Sequence, residues 1–286
     1  MSPYTIILGD SRSDQQSAEQ ARYLAALLAC SLLLTGFNVA VFGYRPLFNG
    51  ALAALASLLV ELVFAWVRKK PVTGGGCVYG LVLSLLAPPD IAWWILLLGA
   101  IFGTVFGKEA FGGAKNAIFN PALVGLGFMF FSYPADTVAI SLGNLATMEG
   151  APQQFSIMLI LACLAIIIIA KPTSLSIYIP MAFAVYLIAA YLIPTEKLPM
   201  EGNLQQIFSN DNFLLIAVLL AADPGNAPRK WHGKIIYGIV VGTLAILMRC
   251  FSKYQEAMMF AILFGNTIAP SLDMIGSNRI RKEDAK

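Results

Sequence analysis

The sequence predicts an all-helical integral membrane protein of about ten transmembrane helices, because of its composition, its apolar runs and its charge distribution. Of the 286 residues, 58% are apolar and 12% are charged, and the mean hydropathy is +0.73. Soluble domains do not have this composition. Each spanning helix uses about 20 residues, so ten of them would take up roughly 200. The remainder suffices for loops but not for a separate soluble catalytic domain.

Ten apolar runs correspond to the predicted helices. In chain order they are 23–42, 47–67, 77–87, 91–107, 121–133, 155–170, 174–193, 213–222, 235–251 and 258–275. The runs 77–87, 121–133 and 213–222 are shorter than a full span, which predicts short or broken helices whose freed backbone groups can line a cavity. A single transmembrane domain is therefore expected at 23–275, between an N-terminal segment, 1–22, and a basic tail, 276–286.

Lysine and arginine are unevenly distributed among the connecting segments. If both termini are cytoplasmic and the ten runs cross in turn, fifteen of the 19 fall on the cytoplasmic side, as the positive-inside rule requires. The fifteen are Arg12, Arg22, Arg68, Lys69, Lys70, Lys108, Lys115, Lys171, Arg229, Lys230, Lys234, Arg279, Arg281, Lys282 and Lys286. The distribution predicts a multi-pass membrane protein whose N-terminus and C-terminus are both cytoplasmic. A net charge of +3 that belongs to loops gives no reason to expect a nucleic-acid partner.

A weak internal repeat links the two halves, about 23–133 and 155–275. The third run ends in Leu83-Ser-Leu-Leu-Ala-Pro-Pro-Asp90 and the eighth in Val218-Leu-Leu-Ala-Ala-Asp-Pro224. Each is followed by a helix with glycines four residues apart, Gly99 and Gly103 or Gly238 and Gly242. Five helices per half would make the halves inverted in the membrane, with a site near Pro88 and Asp223 where short helices meet. Chance similarity between apolar segments is the alternative.

Glu61 is the candidate for an ion path, because it is a carboxyl group inside the second apolar run. An ionisable group at that depth is costly and marks a functional site by default. The alternative is that Glu61 only snorkels or bonds to a neighbouring helix. For Asp273, at the end of the last run, capping or contact with the basic loops is the simpler explanation.

The segment between the fourth and fifth runs is a candidate for binding an anionic or carbonyl-rich group. Asn120 and Pro121 form a good N-cap and first-turn pair. Gly112 and Gly113 permit a close-approach turn, and Lys108 adds positive charge near the helix start. A plain loop that starts a helix explains the same residues. The four cysteines are widely spaced and His232 is the only histidine, so no metal site is predicted.

Several longer strings resemble the NqrB/RnfD family, whose members are membrane subunits of the sodium-translocating NADH:quinone reductase (Nqr) and of the Rnf complex. In the first half they are Phe102-Gly-Thr-Val-Phe-Gly-Lys-Glu-Ala-Phe-Gly-Gly113, Phe119-Asn-Pro-Ala-Leu-Val-Gly125 and Phe130-Phe-Ser-Tyr-Pro134. In the second half they are Ala221-Ala-Asp-Pro224, Gly233-Lys-Ile-Ile-Tyr-Gly238, Leu247-Met-Arg249 and Glu256-Ala-Met-Met-Phe-Ala-Ile-Leu-Phe-Gly-Asn-Thr-Ile-Ala-Pro270, with Asp273. The resemblance covers nearly the whole chain.

The resemblance implies a membrane subunit in a bacterial or archaeal cytoplasmic membrane that passes electrons through flavin across the bilayer, coupled to Na⁺ or H⁺ movement. Such a subunit would not be active alone, since it works with other membrane and peripheral subunits of a redox-driven translocase. Family members carry FMN on a threonine of a Ser/Thr-Gly-Ala-Thr motif and hold a noncovalent riboflavin or FMN between helices. For a flavin site we single out Asn120, Asp223, Gly112, Gly113 and Lys108.

The loop that corresponds to the covalent motif departs from the family pattern. It contains Gly143-Asn-Leu-Ala-Thr147, so only Ala146 and Thr147 are in register. Asn144 and Leu145 replace the hydroxyl residue and the glycine, which argues against covalent attachment, and Thr147 is the residue that would carry the FMN. Two alternatives follow: a channel or transporter on the same scaffold that has lost redox chemistry, and a structural scaffold for redox partners.

Overall fold

Ten α-helices run through the described part of the chain, one for each apolar run. The structure is a computed structural model and describes residues 3–69, 71–114, 116–134, 153–192, 213–251 and 256–275. The helices are α1 (Pro3–Phe42), α2 (Arg45–Arg68), α3 (Gly75–Leu86), α4 (Trp93–Thr104), α5 (Pro121–Ser132), α6 (Gln153–Ala170), α7 (Leu175–Leu192), α8 (Phe213–Leu220), α9 (Trp231–Phe251) and α10 (Ala257–Ile275). The described residues contain no strand, so the all-helical membrane fold is confirmed.

The helices differ in whether they can cross a bilayer unaided. Four are long and apolar enough by length and composition: Ser17–Phe42, Arg45–Arg68, Trp231–Phe251 and Ala257–Ile275. The three runs predicted to be short give α3 and α5, of 12 residues each, and α8, of 8 residues. At 1.5 Å per residue, α8 is only about 12 Å long. Its backbone ends must therefore find partners inside the protein.

Local sequence explains where α5 and α3 begin. Asn120 caps α5 by accepting a hydrogen bond from the Ala122 amide at 3.0 Å, and Pro121 follows at the first helical position. Gly74, with φ of +72°, precedes α3. Helix α4 continues into a single π-helical turn, Val105–Glu109, a feature that is frequent at functional sites. This turn places Lys108 and Glu109 next to α2.

Some helix contacts are alike in the two halves of the chain. Helix α2 packs on α4, α4 on α5, α1 on α3 and α3 on α5. In the second half α7 packs on α9, α9 on α10, α6 on α8 and α8 on α10. The corresponding helices α1 and α6 also touch, as do α5 and α10. The extensive contact between α2 and α3 has no comparable counterpart between α7 and α8, so the two five-helix repeats stay a prediction.

The two glycine pairs that drew attention to the repeat pack against helices that do not correspond. A Cβ on Gly103 would collide with the backbone of Pro121 and Gly125 on α5. A Cβ on Gly238 would lie 2.5 Å from the Ile177 carbonyl oxygen on α7. Small residues let helix backbones approach closely in membranes. Gly103 thus lies against α5 in the first half, whereas Gly238 lies against α7 in the second.

Helix α8 lies in the centre of the bundle. Nearly all its side chains are buried, and they share one core cluster with Tyr23, Leu27, Cys30 and Leu34, which recur at helical spacing on α1. A helix that is apolar on all sides belongs inside a bundle rather than at its surface. The buried position of α8 fixes the segment that follows it, which contains Asp223.

Four connections meet at one end of the bundle, which we call the polar end. Their described residues are 69 and 71–74, 110–114 and 116–120, 171–174, and 221–230. Lys108 reaches Thr73, Asn226 donates to the Ala117 carbonyl at 3.2 Å, and Lys171 donates to the Ala222 carbonyl at 3.3 Å. The sequence predicted these four connections on one side of the membrane, and their meeting supports ten alternating crossings. That this is the cytoplasmic side stays a prediction.

Candidate functional site

Glu61 lies on α2 and accepts hydrogen bonds from the start of α3. Its Oε1 accepts from the Thr73 amide at 2.7 Å, the Thr73 hydroxyl at 2.5 Å and the Gly74 amide at 3.0 Å, while Oε2 accepts from the Gly76 amide at 2.8 Å. A Cβ on Gly76 would lie 2.7 Å from Glu61 Oε2, so the glycine permits this close approach. Glu61 therefore satisfies the free amides of α3, which carry the positive end of the helix dipole.

A chain of alternating charges extends from Glu61 across the π-helical turn. Lys108 Nζ lies 2.9 Å from Glu61 Oε1 and 3.5 Å from Glu109 Oε1. Glu109 Oε2 in turn lies 2.7 Å from Arg68 Nη1, and Arg68 Nη2 donates to the main-chain carbonyl of Glu109. Lys108 and Glu61 are only 2% and 3% exposed. The four groups neutralise one another, as buried charges require.

A cavity of about 380 Å³ opens beside these four charges, a volume within the ~300–1,000 Å³ typical of ligand pockets. It is lined by Glu61, Phe64, Ala65, Arg68, Pro71, Thr73, Lys108, Glu109, Gly112, Gly113, Ala114 and Asn116. Four of the residues singled out in the sequence thus share one cavity, namely Glu61, Lys108, Gly112 and Gly113. We call this the charged cavity.

Asp223 lies in a different environment, completely buried after the end of α8. Its Oδ2 accepts from the Tyr79 hydroxyl at 2.7 Å and from Asn120 Nδ2 at 2.8 Å, and its Oδ1 accepts from the Gly225 amide at 2.9 Å. The carboxylate thereby connects α3, the start of α5 and the connection after α8. The sequence predicted that the start of α5 could bind an anionic group. In the structure the Asp223 carboxylate occupies that position.

The carbonyl groups at the end of α8 are also satisfied from neighbouring helices. The hydroxyl of Tyr23, on α1, donates to the Leu219 carbonyl, and that of Tyr178, on α7, donates to the Val218 carbonyl at 2.7 Å. The buried Lys171 ammonium donates to the Ala222 carbonyl. Cationic and hydroxyl donors are the expected partners for the negative end of a helix dipole. They let α8 end inside the bundle.

A second cavity, of about 330 Å³, lies between the connections 116–118 and 225–229 and the end of α10. Its lining includes the carboxamides of Asn116, Asn226 and Asn266, and we call it the carboxamide cavity. Asp273 also lines it and accepts from the backbone amides of Arg229 and Lys230 at 2.9 and 3.0 Å. Asp273 thus contacts the basic segment, in agreement with the simpler explanation of its position.

The structure divides the sequence candidates into two groups. Asn120 and Asp223 bond directly to each other, but the lining of neither cavity includes them. Pro88 and Asp223 do not meet: Asp223 contacts Tyr79 in the second turn of α3, whereas Pro88 follows the C-terminal end of that helix. Thr147 lies outside the described residues.

Sequence reasoning missed Glu109, Tyr79 and Lys171. Glu109 is adjacent to Lys108, but its side chain becomes part of the site only because a π-helical turn places both residues beside α2. Tyr79 and Lys171 gave no signal, since an aromatic residue in an apolar run and a lysine in a predicted loop are both ordinary. Their roles depend on contacts with residues more than 50 positions away.

Residues 13–282 match the model of the NQR2, RnfD, RnfE family. The chain belongs to this family. The match covers both halves of the chain and includes every residue of the charged cavity and of the Asp223 site. The family predicted from the sequence is therefore confirmed, as is the all-helical membrane fold.

Relatives in the family include the NqrB subunits of the Na⁺-translocating NADH-quinone reductases of several bacteria. The protein from Yersinia pestis is 32% identical over 260 residues, and that from Azotobacter vinelandii is 30% identical over 254 residues. The alignments cover 75% and 74% of this chain and 62% of each relative. The chain thus spans less than two thirds of the length of these relatives.

Proposed function

We propose that the chain is a membrane subunit of an Nqr- or Rnf-type complex that couples electron transfer through flavin to the movement of Na⁺ or H⁺. The observation that carries the proposal is the family match over residues 13–282. The names of its relatives describe Na⁺ translocation linked to NADH–quinone reduction. Other membrane and peripheral subunits supply the electron donor and acceptor, and the chain is inactive alone.

The charged cavity is the proposed ion path. Glu61 gives it a buried carboxylate, and Thr73 adds a hydroxyl oxygen that lies 3.0 Å from the Lys108 ammonium. Hard cations prefer oxygen ligands of these two kinds. A carboxylate inside a membrane protein that borders a cavity can compensate the charge of a moving cation. These features support Glu61 as the ion-binding residue.

The carboxamide cavity is the proposed site of a noncovalent flavin, which supplies one- and two-electron redox chemistry when bound. Carboxamides both donate and accept hydrogen bonds, as do the polar edges of an isoalloxazine ring. The charged cavity fits a phosphate less well, because Lys108 and Arg68 are already paired with carboxylates. Asn120 and Asp223 would support the flavin indirectly, through Gly225 and Asn226, which continue from Asp223 into the cavity lining.

Flavin fluorescence tests the proposal and also decides on Thr147. The protein is purified with its complex from cells that also express a flavin transferase, and fluorescence is recorded natively and on a denaturing gel. We expect native fluorescence that is lost on denaturation, because the loop around Thr147 lacks most of the covalent motif. Fluorescence that survives denaturation in the wild type but not in Thr147→Ala would instead establish covalent FMN.

Variants at the two sites locate the noncovalent flavin. We expect Asn226→Leu to lower flavin content strongly, since it removes a carboxamide from the cavity lining, and Asn120→Ala and Asp223→Ala to lower it less directly. Glu61→Gln is the matched control and should retain flavin. Absence of fluorescence from wild-type protein in both conditions would contradict the redox proposal and favour a transporter or scaffold.

A further inference from the structure

Lys108 occupies the position that a cation would take at Glu61. Its ammonium contacts Glu61 Oε1 at 2.9 Å and Thr73 Oγ1 at 3.0 Å. On this wall of the cavity, these carboxylate and hydroxyl oxygens are the ligands available to a small cation. As long as the ammonium remains there, a second cation cannot reach the same pair of oxygens without strong repulsion.

A second carboxylate is available to Lys108 within the same cavity. Glu109 Oε1 lies 3.5 Å from the ammonium, only slightly farther than Glu61. An ammonium group carries three hydrogen-bond donors on a flexible stem, so it can change partners by side-chain rotation. Arg68 holds the other oxygen of Glu109 and its main-chain carbonyl, which fixes this carboxylate in place. Lys108 therefore stands between two fixed carboxylates.

We infer that Lys108 is an internal competitor for the transported monovalent cation, which moves from Glu61 to Glu109 when that cation binds. The inference rests on the proposed function, because it takes Glu61 as the ion-binding residue. Before binding, Lys108 neutralises Glu61. During binding the incoming ion takes over that role, and Lys108 shares Glu109 with Arg68. The buried carboxylate is compensated at each stage, which avoids the cost of an unpaired charge.

The net charge of the site determines how readily a cation can bind at Glu61. Glu61, Lys108, Glu109 and Arg68 together are neutral, so the cavity gains one net positive charge when a cation binds without loss of another. The apparent affinity for the ion then depends on the fraction of molecules in which Lys108 has left Glu61. A substitution that removes Lys108 should lower the ion concentration at half saturation. One that removes Glu109, the alternative partner of Lys108, should raise it.

The test is the Na⁺ concentration at half saturation, from equilibrium binding of radioactive Na⁺ to the purified complex and from the Na⁺ dependence of its turnover. We expect Lys108→Met to lower this concentration about tenfold, the change if Lys108 leaves Glu61 free in roughly one molecule in ten. Glu109→Gln should raise it severalfold, because Lys108 then has no second carboxylate. Arg45→Gln, in an exposed ion pair with Asp90, is the control and should leave it unchanged.

Three outcomes bear on the inference. An unchanged half-saturation concentration in Lys108→Met and Glu109→Gln, with a Na⁺-dependent wild type, would make Lys108 a structural tie only and would leave the proposed function standing. If Lys108→Met does not assemble, Glu109→Gln decides alone, because it keeps every cation of the site and nearly the same side-chain volume. A wild-type complex that neither binds nor responds to Na⁺ would overturn the inference together with Na⁺ coupling.

Discussion

Glu61 and Asp223 are both buried carboxylates at the polar end of the bundle, but they differ in what surrounds them. Glu61 has an ammonium partner at 2.9 Å and borders a cavity of about 380 Å³. Asp223 has three hydrogen-bond donors, and its closest bonds are to Tyr79, Asn120 and Gly225. A ligand can reach the first carboxylate, whereas the second holds three helical segments together.

This difference shows that burial alone does not identify a functional carboxylate. In both cases the sequence displays an acidic residue in or next to an apolar run, which is costly unless the charge is compensated. The kind of compensation separates them. A flexible ammonium can be exchanged for another cation, whereas the donors around Asp223 are held in place by α3, by the start of α5 and by the backbone at Gly225. We therefore expect Glu61 to affect transport and Asp223 to affect stability.

The largest loss of stability is expected for Asp223→Ala. The substitution leaves the Tyr79 hydroxyl and the Asn120 amide without their buried acceptor. Orphaned donors in a protein interior each cost about 1–3 kcal/mol, and interhelical hydrogen bonds in membranes about 0.6 on average. We expect the free energy of unfolding to fall by about 2–4 kcal/mol. The measurement is thermal unfolding in detergent, followed by tryptophan fluorescence.

Asp223→Asn is the matched variant for this prediction. It keeps the shape of the side chain and one acceptor oxygen, but its NH₂ group must face a donor, either the Gly225 amide or the Tyr79 and Asn120 pair. An intermediate loss of stability is expected. If both variants were as stable as the wild type, Asp223 would not hold the helices together, and the distinction between the two carboxylates would fail.

Glu61→Gln should have a smaller effect on stability and a larger effect on transport. Its carboxamide oxygen can still accept hydrogen bonds from the start of α3, and Lys108 keeps Glu109 as a partner 3.5 Å away. Its NH₂ group must face one donor, such as the Gly76 amide, so the loss of stability should resemble that of Asp223→Asn rather than that of Asp223→Ala. What the variant loses is the negative charge that compensates a moving cation. We expect assembly to persist while coupled ion movement into vesicles falls at least about tenfold, a change equivalent to roughly 1.4 kcal/mol.

The control for that experiment is electron transfer measured without an ion gradient. Retained electron transfer with impaired ion movement would place Glu61 in the ion path. Wild-type ion movement in Glu61→Gln would remove this residue from the mechanism. If electron transfer, ion movement and stability all declined together, Glu61 would resemble Asp223, and the separation of their roles would be wrong.

Much of the fold could be predicted from the sequence because its signals are local. Roughly twenty or fewer consecutive apolar residues define each helix, and the short runs correctly marked α3, α5 and α8. The Asn120–Pro121 pair correctly marked the start of α5. The two five-helix repeats stay a prediction, and their glycine pairs were poor guides, since Gly103 contacts the fifth helix of its half and Gly238 the second helix of its half.

The candidate site could be predicted only in part, because its contacts join distant parts of the chain. Glu61 was identifiable since its charge contradicts its apolar surroundings, and Lys108 since its segment resembles a helix-start binding loop. Their pairing was not, because it depends on the π-helical turn that no local pattern announces. Glu109 and Tyr79 acquire their roles only through residues 41 and 144 positions away.

The smallest effect is expected for Asp90, the acidic residue of the first of the two similar strings, as Asp223 is of the second. Asp90 follows α3 as Asp223 follows α8, yet it pairs with Arg45 at 2.7 Å, and both side chains are about 60% exposed. Exposed ion pairs of this kind contribute below about 1 kcal/mol. Asp90→Asn should therefore leave thermal unfolding and flavin content almost unchanged, while Asp223→Asn alters the first and lowers the second. A loss at Asp90 as large as that at Asp223 would mean that the two strings act equally in the two halves, and burial of the second carboxylate could no longer explain its role.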